Sequence, residues 1–406
     1  MVTATLTVGA TDVSCATDYD VTVTVGREAV DVQPSASVLT VASSESVAAR
    51  IGDPVVLSDT YGRMFGGTIT DLDAEWDAVA DVWRTRLIAA GPLADLGREW
   101  VGDTPWPQES DSARVDRVLG LAGAPHDVDP AILGPDMLAT DVDHRTALDY
   151  AQSVAQDALG VLWEQPADAV SPIRYAPQRV RAWGTVDIVW SEVPPATTWA
   201  MVPADLLWDD VAMAAPNDAV PTLDLDCAEI LADVALSSRI ADHVAQVTVL
   251  WGPPAEPGAE RAAETVGDGP PAVRLDTQLA TAGGALQVAD TVWRARREPL
   301  WRLTRLTVPT DTLPPARVQQ IRAALTVGTR LTVTLPDGAP SGTRWEGYLE
   351  GWRHELADGR HDLLLATSER GMTEPADRWQ DVPPGTTWAT LPADLLWDDA
   401  LDMGGP

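Results

Sequence analysis

Any nucleophilic, acid–base or metal chemistry in this chain has to be built on five histidines, His126, His144, His243, His354 and His361, and two cysteines, Cys15 and Cys227. His354 and His361 stand seven residues apart in HELADGRH, with Asp358 and Asp362 beside them. A hairpin there would bring two imidazoles and two carboxylates together, which is the donor type of a metal site. The spacing is that of no zinc-protease motif, and a solvated His–Asp group on a hairpin is the simpler reading. Cys227 lies in LDLDCAEILADV without a histidine motif of any cysteine-hydrolase type. With Cys15 it makes no metal spacing, which leaves packed free thiols or a single bridge. Asp71 with Asp73, and Asp127 with Asp129, have the ligand type for Ca²⁺ but lack the glycine and closing glutamate of an EF-hand loop. The residues therefore assign no catalytic group, no metal ligand and no cofactor, and the expectation is a protein that is not an enzyme.

Binding surfaces offer more. The line WSEVPPATTWAMVPADLLWDD, Trp190 to Asp210, returns as WQDVPPGTTWATLPADLLWDD, Trp379 to Asp399, 189 residues later (379 − 190), with 16 of 21 positions identical. Double proline gives an extended entry, the apolar run an anchor and the two acids a wet end. Trp199, Leu206, Leu207 and Trp208 in the first copy, and Trp388, Leu395, Leu396 and Trp397 in the second, are thus candidate interface residues. Recent copying without time for drift is the rival reading. The one basic concentration, Arg294, Arg296, Arg297, Arg302 and Arg305, either docks on an acidic neighbour or pairs within its own chain.

The elements that must position these groups follow from length and pattern. A chain of 406 residues suggests roughly two to four domains, since single cores stop growing near ~250 residues. Hydrophobic residues at 45% and charged residues at 22% are globular values. The chain has no lysine, one Asn, one Phe and 17 Trp, the mark of a GC-rich genome in which Trp replaces Phe in cores. A net charge of −33 repels phosphate backbones and argues against ordinary nucleic-acid binding. No basic leader or long apolar run is present, so neither secretion by the usual route nor membrane insertion is expected.

Residues 1–92 read as a first β-barrel domain, from alternations such as Val21-Thr-Val-Thr-Val25 and Val55-Val-Leu57. Residues 93–189 read as an α/β domain. ESDSARVDRVLGLAG has Ser110 or Asp111 as N-cap and Gly123 as stop, and HRTALDYAQSVAQDALG has Gly160 as C-cap; the strands VLWEQ and IRYAP follow. Residues 190–224 form a repeat-bearing linker. Residues 225–375 form a second β-barrel domain with inserted helices at about 285–297 and 315–325, and 376–406 a repeat-bearing tail. PPAEPGAERAAETVGDGPPA, 253–272, reads as a long loop. The fold class is α+β, mainly β. A fainter repeat links the barrels: Gly52-Asp-Pro-Val-Val-Leu, Phe65-Gly-Gly-Thr-Ile-Thr-Asp-Leu and Trp83-Arg-Thr-Arg-Leu-Ile match Gly328-Thr-Arg-Leu-Thr-Val, Trp345-Glu-Gly-Tyr-Leu-Glu-Gly-Trp and His361-Asp-Leu-Leu-Leu in order.

The runs IGDPVVLSDTYGRMFGGTITDL, AAGPLADLGREWVGDTPWPQES, HRTALDYAQSVAQDALGVLWEQ and YLEGWRHELADGRHDLLLATS together resemble minor tail proteins of siphophages that infect actinobacteria. The resemblance covers most of residues 50–375. It implies a tail-tip hub similar to the baseplate hub of contractile-tailed phages, in which two β-barrels and two α/β domains make one subunit of a homotrimer. It further implies a place in the virion between a distal tail protein ring, the tape measure protein and the tip fibres or receptor-binding proteins, with genomic DNA passing through unbound. The alternatives from the residues alone are a tail-associated cell-wall hydrolase and a tryptophan-based glycan adhesin.

Overall fold

The computed structural model describes residues 4–177 and 221–369, apart from 10, 15–19, 28–32, 34–35, 44–48, 80, 103–104, 131–133, 141–144, 168–170, 231–233, 240–241, 255–258, 298–300 and 358. Both copies of the tryptophan line, His144, Cys15 and Asp358 lie outside the described residues. The described chain is mainly β, with few helices.

The N-terminal block holds β1 (Thr5–Val8), β2 (Thr11–Ser14), β3 (Asp20–Gly26), β4 (Val38–Ser43), β5 (Pro54–Asp59), β6 (Gly62–Asp77) and β7 (Val82–Ala90). In β3 the Val-Thr alternation places Val21, Val23 and Val25 in the core and leaves the threonines half-buried, as a period of two requires. A helical layer follows: α1 (Pro92–Leu96), β8 (Trp100–Val101), β9 (Glu109–Ser110), α2 (Asp111–Leu121), β10 (His126–Asp127), β11 (Asp136–Met137), β12 (Arg145–Thr146), α3 (Ala147–Asp157), β13 (Val161–Glu164) and β14 (Ile173–Ala176). Ser110 caps α2 through Ala113 N–H, and Thr146 caps α3 through Asp149 N–H. Helix α3 ends differently from expectation. Leu159, not Gly160, takes the left-handed conformation (φ 56°), and Gly160 is small because a Cβ would lie 2.2 Å from the Tyr175 hydroxyl.

Beyond residue 221 come β15 (Thr222–Leu225), β16 (Ala235–Ser237), β17 (Gln246–Trp251), β18 (Ala262–Gly267), β19 (Ala272–Asp276), α4 (Ala282–Arg296), β20 (Arg302–Arg305), β21 (Thr307–Pro309), α5 (Pro315–Ala323), β22 (Arg330–Thr334), β23 (Arg344–Ala357) and β24 (Arg360–Glu369). Both expected inserted helices are present as α4 and α5. The long loop at 253–272 is partly a strand: β18 pairs along all of β17. Its composition hides it, because most of its side chains face solvent and α4 covers only part of the other face.

Instead of closing separately, the two β blocks join into one twelve-stranded sheet in the order β15-β22-β23-β3-β4-β7-β6-β5-β1-β2, with β24 on β23 and β21 on β24. No closed barrel forms among the described strands. The joint is antiparallel, Gly351–Leu356 of β23 against Gly26–Val21 of β3. One hydrophobic core runs beneath it from Leu6, Leu57 and Phe65 to Leu331, Trp345 and Leu363. A second core unites α1 to α3 with the β17–β19 sheet and α4, so residues 244–297 pack with 93–176. Gln278 ties these two segments, donating from its main chain to Asp157 (2.9 Å) and from its amide to Ser153 (2.9 Å).

Two glycines permit the joint. Gly26 has φ +80°, and a Cβ there would lie 2.6 Å from the Glu350 carbonyl; one on Gly351 would lie 2.6 Å from the Arg27 carbonyl. Gly351→Val is therefore expected to cost more than ~3 kcal/mol and yield chain without a cooperative unfolding transition. Gly120→Ala, in the last turn of α2 with nothing within 4 Å of its Cβ, should instead stabilise by ~0.5 kcal/mol in the same denaturation experiment.

Candidate functional site

The histidine pair is built by the β23–β24 hairpin, but not as a solvated group. His354 and His361 are each 1% exposed, and Nδ1 of the first lies 3.0 Å from Nε2 of the second. Burial and the nearby Arg322 guanidinium hold both rings neutral, lowering His361 to about 4 and His354 well below the usual range. Arg322 itself pairs across the blocks with Asp59 at 2.8 Å. Among the described residues no group of three His, Cys, Asp or Glu side chains could hold a metal ion. A cation beside Arg322 would be repelled, so the pair packs the seam between the blocks.

The other chemical candidates separate. Cys227 is a free, partly exposed thiol on a short turn capped by Asp226, not a buried one. Asp71 and Asp73 are exposed on β6, and Asp127 pairs with Arg174 at 2.9 Å. In the basic group Arg294 pairs with Asp290 (2.9 Å), Arg297 lies over the Trp293 ring (5.3 Å), and Arg302 reaches Asp242 (3.6 Å) and Glu369 (3.9 Å). At least part of its charge is thus met within the chain. Arg296 is half-buried on α4.

Sequence reasoning missed the buried ionic groups that hold segments to one another. Glu350 is fully buried beside the joint and accepts from Arg27 Nε (2.6 Å) and Ser368 Oγ (2.5 Å). Glu164 on β13 accepts from the main-chain N–H of Ser37 (2.9 Å) and of Leu93 (2.5 Å), pinning the helical layer to the start of β4. Asp111 accepts from the Tyr175 hydroxyl (2.6 Å) and Ser112 N–H (2.7 Å). Arg114, wholly buried on α2, donates to Glu109, to Tyr150 and to two carbonyls. Its only sequence signal is a charge in the i, i+4 apolar stripe with Val118. Such groups immobilise segments, as charge-assisted hydrogen bonds between buried partners do.

The faint repeat is present at atomic detail. Gly52 and Gly328 both turn with positive φ (91° and 88°). Gly52 N–H donates to Ile69 (2.9 Å) and Ile69 N–H to Asp53 (3.0 Å); Gly328 donates to Leu349 (2.8 Å) and Leu349 to Thr329 (2.9 Å). The second strand of each meander then bulges by one residue, Thr70 in β6 and Glu350 in β23, 280 apart (350 − 70). The space of a missing Cβ is filled alike: Ala90 carbonyl and Phe65 ring at Gly67, Ser368 carbonyl and Trp345 ring at Gly347.

This architecture is found elsewhere. The 43 kDa tail protein of prophage MuSo2 from Shewanella oneidensis matches 92% of this chain and 100% of its own, at 12% identity and TM-score 0.58. The chain has the fold of a phage tail protein. A tail protein from Neisseria meningitidis matches at 12% identity over 92% of this chain and 99% of its own (TM-score 0.55), and prophage tail protein gp18 of Listeria monocytogenes at 8% over 91% and 95% (TM-score 0.51). No protein-family model and no curated protein matches the sequence. No helix among the described residues is long and apolar enough to cross a membrane.

Burial gives this fold a defined pH response. Desolvation raises Asp111 to about 6 and Asp157, Glu164 and Glu369 to about 7. Their folded pKa values exceed the unfolded ones, so their contribution to stability is full below about pH 4 and lost as pH rises through about 7. The depressed histidines act oppositely, losing stability as pH falls from about 6.5 toward 4. The melting temperature should therefore be flat above about pH 7 and rise as pH is lowered from about 7 toward 5, because the four raised carboxyls outweigh the two depressed histidines. Glu164→Gln should shrink that rise and cost ~1–3 kcal/mol, because an amide cannot accept from both main-chain donors.

Proposed function

We propose that the chain is a structural component of a phage tail, the hub at the distal tip of a long non-contractile tail. The observation that carries this is the correspondence of fold with the MuSo2 tail protein over the whole length of that protein. The two meanders of one plan, joined in a single sheet, supply the mechanism: three copies with two similar β blocks each would offer six similar surfaces, matching a six-fold tube ring to three-fold tip structures. Each block would complete a small barrel only within that ring. The division into functional units at residues 92, 189, 224 and 375 belongs to the same proposal.

A trimer would carry −99 (3 × −33), and an acidic lumen would let DNA pass without adsorbing during ejection. Its neighbours would be the distal tail ring, the tape measure protein and the fibres or receptor-binding proteins that attach to the host. In this proposal the two tryptophan lines, through Trp199, Leu206, Leu207 and Trp208 and through Trp388, Leu395, Leu396 and Trp397, dock on like surfaces of the assembly, with Arg294, Arg296 and Arg297 as a further contact.

Native mass spectrometry of the full chain, with a reconstruction of the tail tip, should give three copies; a monomer or six-fold ring of this chain in the tail would contradict the hub. Trp208→Ala and Trp397→Ala should each weaken assembly by ~3 kcal/mol or more if the lines are buried anchors. Unchanged assembly and melting in both would make the repeat a remnant. Zymograms on host cell walls should show no clearing.

A further inference from the structure

We propose that the outer edge of β6, Asp71–Trp76, receives strand β16 of a second copy of this chain. The inference rests on the hub reading and names the surfaces that would join its subunits.

Two equivalent strands are completed unequally. Past its bulge, β23 pairs over Gly351–Leu356 with β3. The same six positions past the bulge of β6, displaced by 280 (351 − 71), are Asp71–Trp76. They pair with β7 on one side and with no described strand on the other. An unpaired run of main-chain groups is a template for another strand. The side chains tell the same story. Leu356 and His361, opposite each other in the C-terminal hairpin, are 9% and 1% exposed. Their equivalents Trp76 and Trp83, in contact with ring centroids 5.5 Å apart and planes tilted by 59°, are 45% and 52% exposed, and Val79 at the hairpin tip is 99% exposed. Among the described residues the N-terminal hairpin lacks a cover that the C-terminal one has.

The strand order of the C-terminal block identifies the cover. Strand β3 reaches β23 while paired to β4, which in turn pairs with β7. In the C-terminal block, β20 and β21 take β4's place beside β24: Leu365 N–H donates to Leu306 (2.9 Å) and Thr367 Oγ1 to Leu303 (3.1 Å). The strand on the far side of β20 is β16, whose other edge pairs with no described strand. Among the described residues, then, each chain holds one completed joint, β3 on β23, one open acceptor on β6 and one open donor, β16. A donor and an acceptor on different faces make a head-to-tail contact, which closes into a ring when the rotation permits.

The register is fixed by the completed joint. Arg353 faces Thr24, which faces Val38. The equivalent of Arg353 is Asp73; that of Val38 is Leu303, whose partner is Leu236. Asp73 of one copy is thus opposite Leu236 of the next, and two residues on, as the antiparallel register requires, Glu75 is opposite Val234. Opposed residues have Cα atoms about 4.5–5.5 Å apart, within disulfide range.

The test uses the full chain carrying Cys15→Ser and Cys227→Ser. Asp73→Cys and Leu236→Cys proteins, made separately, are mixed and oxidised, and Glu75→Cys with Val234→Cys gives an independent second pair. A covalent dimer from either mixture, absent when Asp73→Cys is mixed with Arg344→Cys, is the expected result. If native mass spectrometry shows a trimer and neither pair cross-links, the edge pairing is overturned while the hub stands. A chain that stays monomeric removes both.

Discussion

The structure depends on one long-range contact, the antiparallel pairing of β3 with β23. It brings residues more than 300 positions apart to adjacent strands and makes one core out of two β blocks. Everything at that joint is selected for closeness. Gly26 and Gly351 remove the side chains that would hold the main chains apart, and the bulge at Glu350 turns a carboxylate inward, where it accepts from Arg27 and Ser368. A buried carboxylate left without such partners would cost several kcal/mol, so the ion pair defines one register more than it adds stability. The neutral histidine pair and the Asp59–Arg322 pair extend the same seam on the neighbouring strands.

Charge elsewhere divides between two roles. The surface carries an acid excess that keeps the molecule away from polyanions, whereas the buried acids Asp111, Asp157, Glu164 and Glu369 sit where ionisation is unfavourable. Three of these four accept from main-chain or side-chain donors belonging to a different segment: Asp111 from Tyr175, Asp157 from Gln278, and Glu164 from Ser37 and Leu93. The contact from Ser37 to Glu164 fixes the helical layer to the large sheet, and the others fix the parts of that layer to one another and to the segment after β19.

How much of this was legible in the sequence follows from the range of each interaction. The Val-Thr alternation of β3, the cap residues Ser110 and Thr146, and the stripes of α2 and α3 are local and could be read directly. The repeat was legible because its glycines and bulge recur in order. Strand β18 was not, since a mostly exposed strand need not alternate. The end of α3 misled because Gly160 answers to the Tyr175 hydroxyl and not to a left-handed turn. The histidines were placed on the right hairpin but on the wrong side of the surface, because their burial comes from packing against the other block. The joint itself is a pairing across the whole chain, and no local period carries it.

The central claim, that β3 and β23 are interior neighbours in one sheet, is tested most directly by hydrogen exchange of the full chain. Amides of Val21–Val25 and Trp352–Leu356 should exchange together and only through global unfolding, as slowly as the Leu87 region of β7. Exchange of β3 at the rate of a free edge strand, with β23 protected only through β24, would show that the two blocks fold apart and would contradict the account.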